Sequence, residues 1–97
     1  MHTAQKDPAV HGYAGLHLNA DAYLAQGNCY RLLNKPKDAR MAYLHVELMF
    51  FQHPSSHAEA LYQLSKLWRQ LGNVERGRKA AADLARLYPN SRWAKQP

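Results

Sequence analysis

Cysteine is almost missing from this chain: Cys29 is the one thiol among 97 residues. A single cysteine excludes an internal disulfide and a cysteine-rich metal site. Cys29 falls in an apolar stretch with helical spacing, so it is expected as a buried, reduced thiol rather than a reactive one. Long apolar runs are missing too. The longest, Val46-Glu47-Leu48-Met49-Phe50-Phe51, carries a glutamate and is far too short to span a bilayer, so no membrane insertion is expected. Residues 1–8 contain no signal-peptide core, and nothing in them directs export. No Gly-rich phosphate loop, nucleophile elbow or His-Glu-x-x-His stretch occurs, so no enzyme is expected.

Acidic residues are scarce, with 7 Asp and Glu against 13 Lys and Arg, for a formal charge of +6. The imbalance is concentrated late in the chain. From Lys66 onward the cations Lys66, Arg69, Arg76, Arg78, Lys79, Arg86, Arg92 and Lys95 face only Glu75 and Asp83. Such asymmetry favours an acidic partner, whether peptide, nucleic acid or lipid surface. There are six histidines. His53 and His57 are four apart, but Pro54 and a helix cap lie between them, so they share no helical face. No nearby ligand set completes a zinc site, and neither metal nor cofactor is expected.

What the chain has is helical periodicity and almost no strand signal. Residues 1–17 form a loose or partly helical lead-in, weakened by Gly12 and Gly15. A first helix is expected over about 19–33, with Asn19 as N-cap, ending before Pro36. A second runs from Pro36 to about 52, with Ala39, Ala42, Tyr43, Val46, Met49 and Phe50 on one side. Leu44, Leu48 and Phe51 form another apolar side, so this helix is buried twice or carries an interface. Ser56-His57-Ala58-Glu59 matches a capping box and opens a third helix to Leu71. Gly72 closes that helix with a left-handed turn, and Asn73 caps a fourth over about 74–88. Short connections imply antiparallel neighbours.

The two helix pairs repeat each other at a distance of 38 residues. Small residues match at Gly27/Ser65 and Ala39/Gly77. Large apolar ones match at Tyr23/Leu61, Tyr30/Trp68 and Val46/Leu84, and turn formers at Asn34/Gly72. Antiparallel helices approach closely only where side chains are small, and large residues interlock on either side.

The second unit, residues 58–89, resembles a tetratricopeptide repeat in Leu64-Ser65, Trp68, Leu71-Gly72, Gly77, Leu84 and the closing Tyr88-Pro89-Asn90-Ser91. That ending is similar to bacterial members of the superfamily. The first unit departs from the pattern: Pro54 comes late and Asn34 replaces the turn glycine. In the second, Ala81 and Gly77 stand where an aromatic and an alanine are common. Repeat one covers about 20–54 and repeat two about 56–89, within a domain of 18–97. The resemblance implies an all-α fold of two stacked antiparallel hairpins with a right-handed superhelical tendency. It also implies a non-enzymatic protein-interaction or scaffold module. The first helix of each pair would line a groove, placing Leu24, Asn28, Arg31 and Leu32 beside Tyr62, Gln63, Lys66, Arg69 and Gln70. Arg31, Lys66 and Arg69 would suit a carboxylate. Asn28 fits part of a carboxylate clamp, whereas Asp21 and Glu59 sit where opposite polarity would help.

Two further surfaces follow. About three repeats are usually needed for stability, and each leaves an apolar face for a neighbour. Leu44, Leu48, Phe51, Leu87 and Trp93 are therefore candidates for self-association, as a homodimer or part of a longer array. Residues 91–96 read as a helical stub, with Trp93 either folded over the fourth helix near Leu87 and Tyr88 or exposed as a docking edge. Arg76, Arg78, Lys79 and Arg86 form a basic face that supports the alternative of a nucleic-acid-binding accessory domain. Aromatics are not interleaved with those cations as base stacking requires, and a solvated helix face accounts for them as well.

Overall fold

The computed structural model describes residues 8–96, with side chains from Ala20 onward. Four helices make up its regular structure: α1 (Pro8–Leu32), α2 (Pro36–Met49), α3 (Pro54–Gln70) and α4 (Val74–Leu87). The described part is all-α, and α1–α2 and α3–α4 are antiparallel hairpins that stack through α2 and α3. No described helix is long and apolar enough to cross a membrane.

Prolines, more than side-chain caps, set where these helices begin. Pro8, Pro36 and Pro54 each occupy the first residue of a helix. Proline has a helix-compatible φ and lacks the N–H that would go unpaired there. This corrects two expectations. The backbone is helical through Gly12, Gly15 and Asn19, so Asn19 is not an N-cap and α1 is far longer than its periodic part. The part of the lead-in over residues 1–7 lies outside the described residues. The capping box at Ser56 is not used either. α3 begins three residues earlier, with His53 rather than Ser56 as N-cap and no side-chain cap bond. At α4 the expectation holds, since Asn73 Oδ1 accepts from the Arg76 amide at 3.1 Å. α2 ends at Met49, three residues before the expected end, with the Phe50 amide bonded to the Val46 carbonyl.

The two hairpin turns are copies in atomic detail. Asn34 and Gly72 both have positive φ, 61° and 92°. The amides of Asn34 and Gly72 bond to the carbonyls of Arg31 and Arg69, and those of Lys35 and Asn73 reach back to Tyr30 and Trp68. The reach-back bond closes a left-handed helix terminus. Asn34 tolerates that conformation better than most residues with a side chain, which is why it can stand for glycine.

The crossings show why small residues recur. A Cβ on Gly27 would lie 2.6 Å from the Tyr43 ring, and one on Gly77 would lie 2.8 Å from the Ser65 carbonyl. Tyr43, Val46, Leu61 and Leu64 form the fully buried centre. Cys29 departs from expectation, because it is exposed. Ala20, Leu24 and Gly27 hold the buried stripe of α1, and Cys29 lies about 200° round the helix from Gly27.

The tail also differs from the expected stub. Over residues 91–96 the backbone makes successive three-residue turns, including Ala94 to Ser91 and Gln96 to Trp93, and no α-helical bond. Ser91 Oγ accepts from the Trp93 amide at 3.0 Å and tightens the first of these turns.

Candidate functional site

The antiparallel α3–α4 hairpin sets the start of α3 beside the end of α4, and the tail returns along α3. Two clefts result. The larger, about 570 Å³, is bordered by Ser55 and Glu59 of α3, Leu87 of α4, Tyr88, and the tail to Trp93. The smaller, about 200 Å³, is bordered by Tyr62, Lys66 and Arg69 of α3, by Ala81, Leu84 and Ala85 of α4, and by Trp93. Trp93 is the wall common to both. Its ring lies 5.3 Å from Tyr62, and the Arg92 guanidinium covers it at 4.5 Å. Trp93 is therefore partly buried against α3 as well as near Leu87 and Tyr88.

Three of the expected groove residues meet here: Tyr62, Lys66 and Arg69. The Lys66 ammonium sits 4.9 Å over the Tyr62 ring. Neither Lys66 nor Arg69 has an ion-pair partner among the described residues. The others are elsewhere. Leu24 belongs to the core. Asn28 is occupied inside the first hairpin, where its Oδ1 accepts from the Tyr43 hydroxyl. It also accepts from Arg31 at 3.5 Å. Burial raises the Tyr43 hydroxyl above its ordinary pKa, partly offset by Arg31. Gln63 is buried. Arg31, Leu32 and Gln70 are exposed and border neither cleft.

The self-association candidates divide in the same way. Leu44 is half-buried against the core. Leu48 and Phe51 are 68% and 54% exposed, as is Met41 at 54%, and Leu87 is 43% exposed at the rim of the larger cleft.

On the basic face, three cations are already paired. Arg78 contacts Glu75 at 2.6 Å. Lys79 and Arg86 both hold Asp83 at 3.1 Å. Burial alone would raise Asp83, but hydrogen bonds from Lys79 and Arg86 outweigh it and keep the carboxyl below its usual range. Arg76 lies 4.3 Å over the Trp68 ring, and Arg40 of α2 lies 5.0 Å from the same ring. That stack joins three helices and has no signal in linear spacing. The link between His57 and Tyr88 is equally hidden. His57 Nδ1 is 2.6 Å from the Tyr88 hydroxyl, and burial pushes the imidazole below its ordinary value while Asp83 partly opposes. Among the described residues no group of three His, Cys, Asp or Glu is placed to hold a metal.

Residues 59–91 match the family model of the tetratricopeptide repeat. Over that stretch the second hairpin is similar to a tetratricopeptide repeat. The match takes in Tyr62, Lys66, Arg69, the α4 cations and the Tyr88-Pro89 break, and stops just before Trp93. Repeats of this family generally mediate protein–protein interactions. No curated protein and no solved structure matches the chain significantly. The likeness of the first hairpin to the repeat rests on its turn bonds and its small-residue crossing.

Proposed function

We propose that the chain is a non-enzymatic protein-interaction or scaffold module that binds a partner polypeptide on the face of α3 and α4. The observation carrying this reading is the pair of clefts meeting at Trp93 within a tetratricopeptide-like repeat. Lys66 and Arg69 favour acidic groups on the partner, since both are unpaired cations beside apolar surface. Asn28 and Leu24 are taken up inside the first hairpin, so the binding face belongs to α3 and α4 rather than to α1 and α3. A peptide-array screen tests the reading. Bound peptides should be lost by the Tyr62→Ala and Arg69→Glu variants. An array without ligands, or one whose ligands ignore both substitutions, contradicts it.

Self-association is a second reading, favoured by the exposed Met41, Leu48 and Phe51. Large apolar side chains left exposed near one another are candidates for a contact surface. The nucleic-acid alternative is weaker. Pairing of Arg78, Lys79 and Arg86 with Glu75 and Asp83 reduces the charge α4 offers to phosphates.

A further inference from the structure

The chain leaves α4 by the same path as it leaves α2. After α2 the Phe50 amide bonds to the Val46 carbonyl at 2.9 Å and the His53 amide to the Phe50 carbonyl at 3.0 Å. After α4 the Tyr88 amide bonds to Leu84 at 2.9 Å and the Ser91 amide to Tyr88 at 3.0 Å. Each residue stands 38 positions after its counterpart. The first exit leads into α3, which packs on α2 and also touches α1. The second leads into the short turns of residues 91–96, which stand where the cap and first turn of α3 stand.

The walls of the smaller cleft match the surface that α3 covers in the first hairpin. Tyr62, Ser65, Ala81 and Leu84 border the cleft, and their counterparts at the same interval are Leu24, Gly27, Tyr43 and Val46. All four counterparts are buried. Leu24, Tyr43 and Val46 share one core cluster with Ala58, Leu61 and Leu64 of α3. In the second hairpin Tyr62 and Ala81 are only half-buried. One exchange shapes the opening. The Tyr43 ring fills the crossing beside Gly27, whereas Ala81 has no ring to place beside Ser65. Trp93 packs on Tyr62, and a space of about 200 Å³ remains, bordered by Ala81 and Ala85. Lys66 and Arg69 line its α3 side without ion-pair partners among the described residues.

We infer that the smaller cleft receives an amphipathic α-helix of a partner protein, lying where α3 lies on the first hairpin, with a large apolar side chain over Ala81 and acidic residues beside Lys66 and Arg69. The inference rests on the reading of the α3–α4 face as a polypeptide-binding surface, and it adds the form, direction and chemistry of the bound segment. Helices joined by a short connection are antiparallel, as α2 and α3 are, so the bound helix runs antiparallel to α4. A second copy has no α3 to offer, because Ala58, Leu61 and Leu64 are already buried in its own core.

The test titrates a labelled peptide selected on the array and reads fluorescence anisotropy. Alanine substitution along the peptide should weaken binding most at apolar positions spaced three, four and seven apart, and at the acids beside them. Proline within that row should weaken binding at least about tenfold. Ala81→Tyr restores the residue of the first hairpin and should weaken binding at least about tenfold as well, with helix content checked by circular dichroism. Should that variant lose its helices, the peptide scan decides. Sensitive positions alternating at a spacing of two mark an extended strand and overturn the inference, as does a folded Ala81→Tyr chain that binds like wild type. Light scattering in which the wild type associates and Ala81→Tyr does not puts a second copy in the cleft and overturns it too. In the first two cases, binding that is lost in Tyr62→Ala leaves the interaction face standing. If no array peptide binds, the face and the inference fall together.

Discussion

His57 and Tyr88 are 31 residues apart in sequence and 2.6 Å apart in space, and together they tie the first turn of α3 to the end of α4. Their rings meet edge to face at 5.3 Å, which adds directional contact to the hydrogen bond. Burial holds the imidazole below its ordinary value, so the folded chain favours the neutral form. The contribution to stability is complete above the ordinary imidazole pKa of about 6.5. It declines as pH falls below that value, because the unfolded chain takes up the proton first. Thermal unfolding should therefore show wild type losing more stability on acidification than His57→Gln. Equal losses would place the pH response on other groups. Gln63 poses a different problem. It is buried at 7% exposure, and no hydrogen bond of its side chain is present among the described residues. Burying an unpaired amide is costly, so Gln63→Met should be neutral or stabilising by up to about 1 kcal/mol in urea unfolding. Nothing in the sequence separated Gln63 from its exposed neighbour Lys66, because both fit a polar helix face. The difference comes from which neighbour covers the helix.

At the scale of the elements, the crossings decide stability. Gly27 admits the Tyr43 ring, which is fully buried. Overpacking costs about 1–3 kcal/mol, while alanine regains about 1 kcal/mol of helix propensity. Gly27→Ala should therefore be net destabilising by about 1 kcal/mol, and a denaturation midpoint at or above wild type would show that Tyr43 can move aside. The repeat was legible from this level because its restraints are local. Small residues at a crossing and a left-handed residue at a turn must sit at fixed offsets, and Gly27, Ser65, Asn34 and Gly72 do. Helix starts were less legible. Asn19 and Ser56 have good capping chemistry, but Pro8 and Pro54 begin their helices earlier, and a capping side chain inside a helix is merely polar. Cys29 departs from its sequence expectation for a related reason. Its stretch is apolar, yet the buried stripe of α1 passes through Leu24 and Gly27 and leaves Cys29 on the far side. The tail has the composition of a helix start, yet its bonds close tighter turns that bring Trp93 onto Tyr62.

At the scale of the whole molecule, two faces lack a neighbour: the cleft face of α3–α4 and the outer row of α2. The first is shaped and carries the cations Lys66 and Arg69, and the second is apolar. Salt should weaken peptide binding at the clefts only in part, because charge pairs to Lys66 and Arg69 are screened while the buried apolar area is not. Binding that vanishes entirely in high salt would point to charge alone and contradict a role for Tyr62 and Trp93. The most direct test of the α3–α4 face as a polypeptide-binding surface is amide shift mapping on the isotope-labelled chain as a peptide selected on the array is added. Shifts should centre on Tyr62, Ser65, Ala81, Ala85 and Trp93, which line the smaller cleft. Shifts centred on α1 or on the paired cations of α4, or no shifts at all, would contradict that reading.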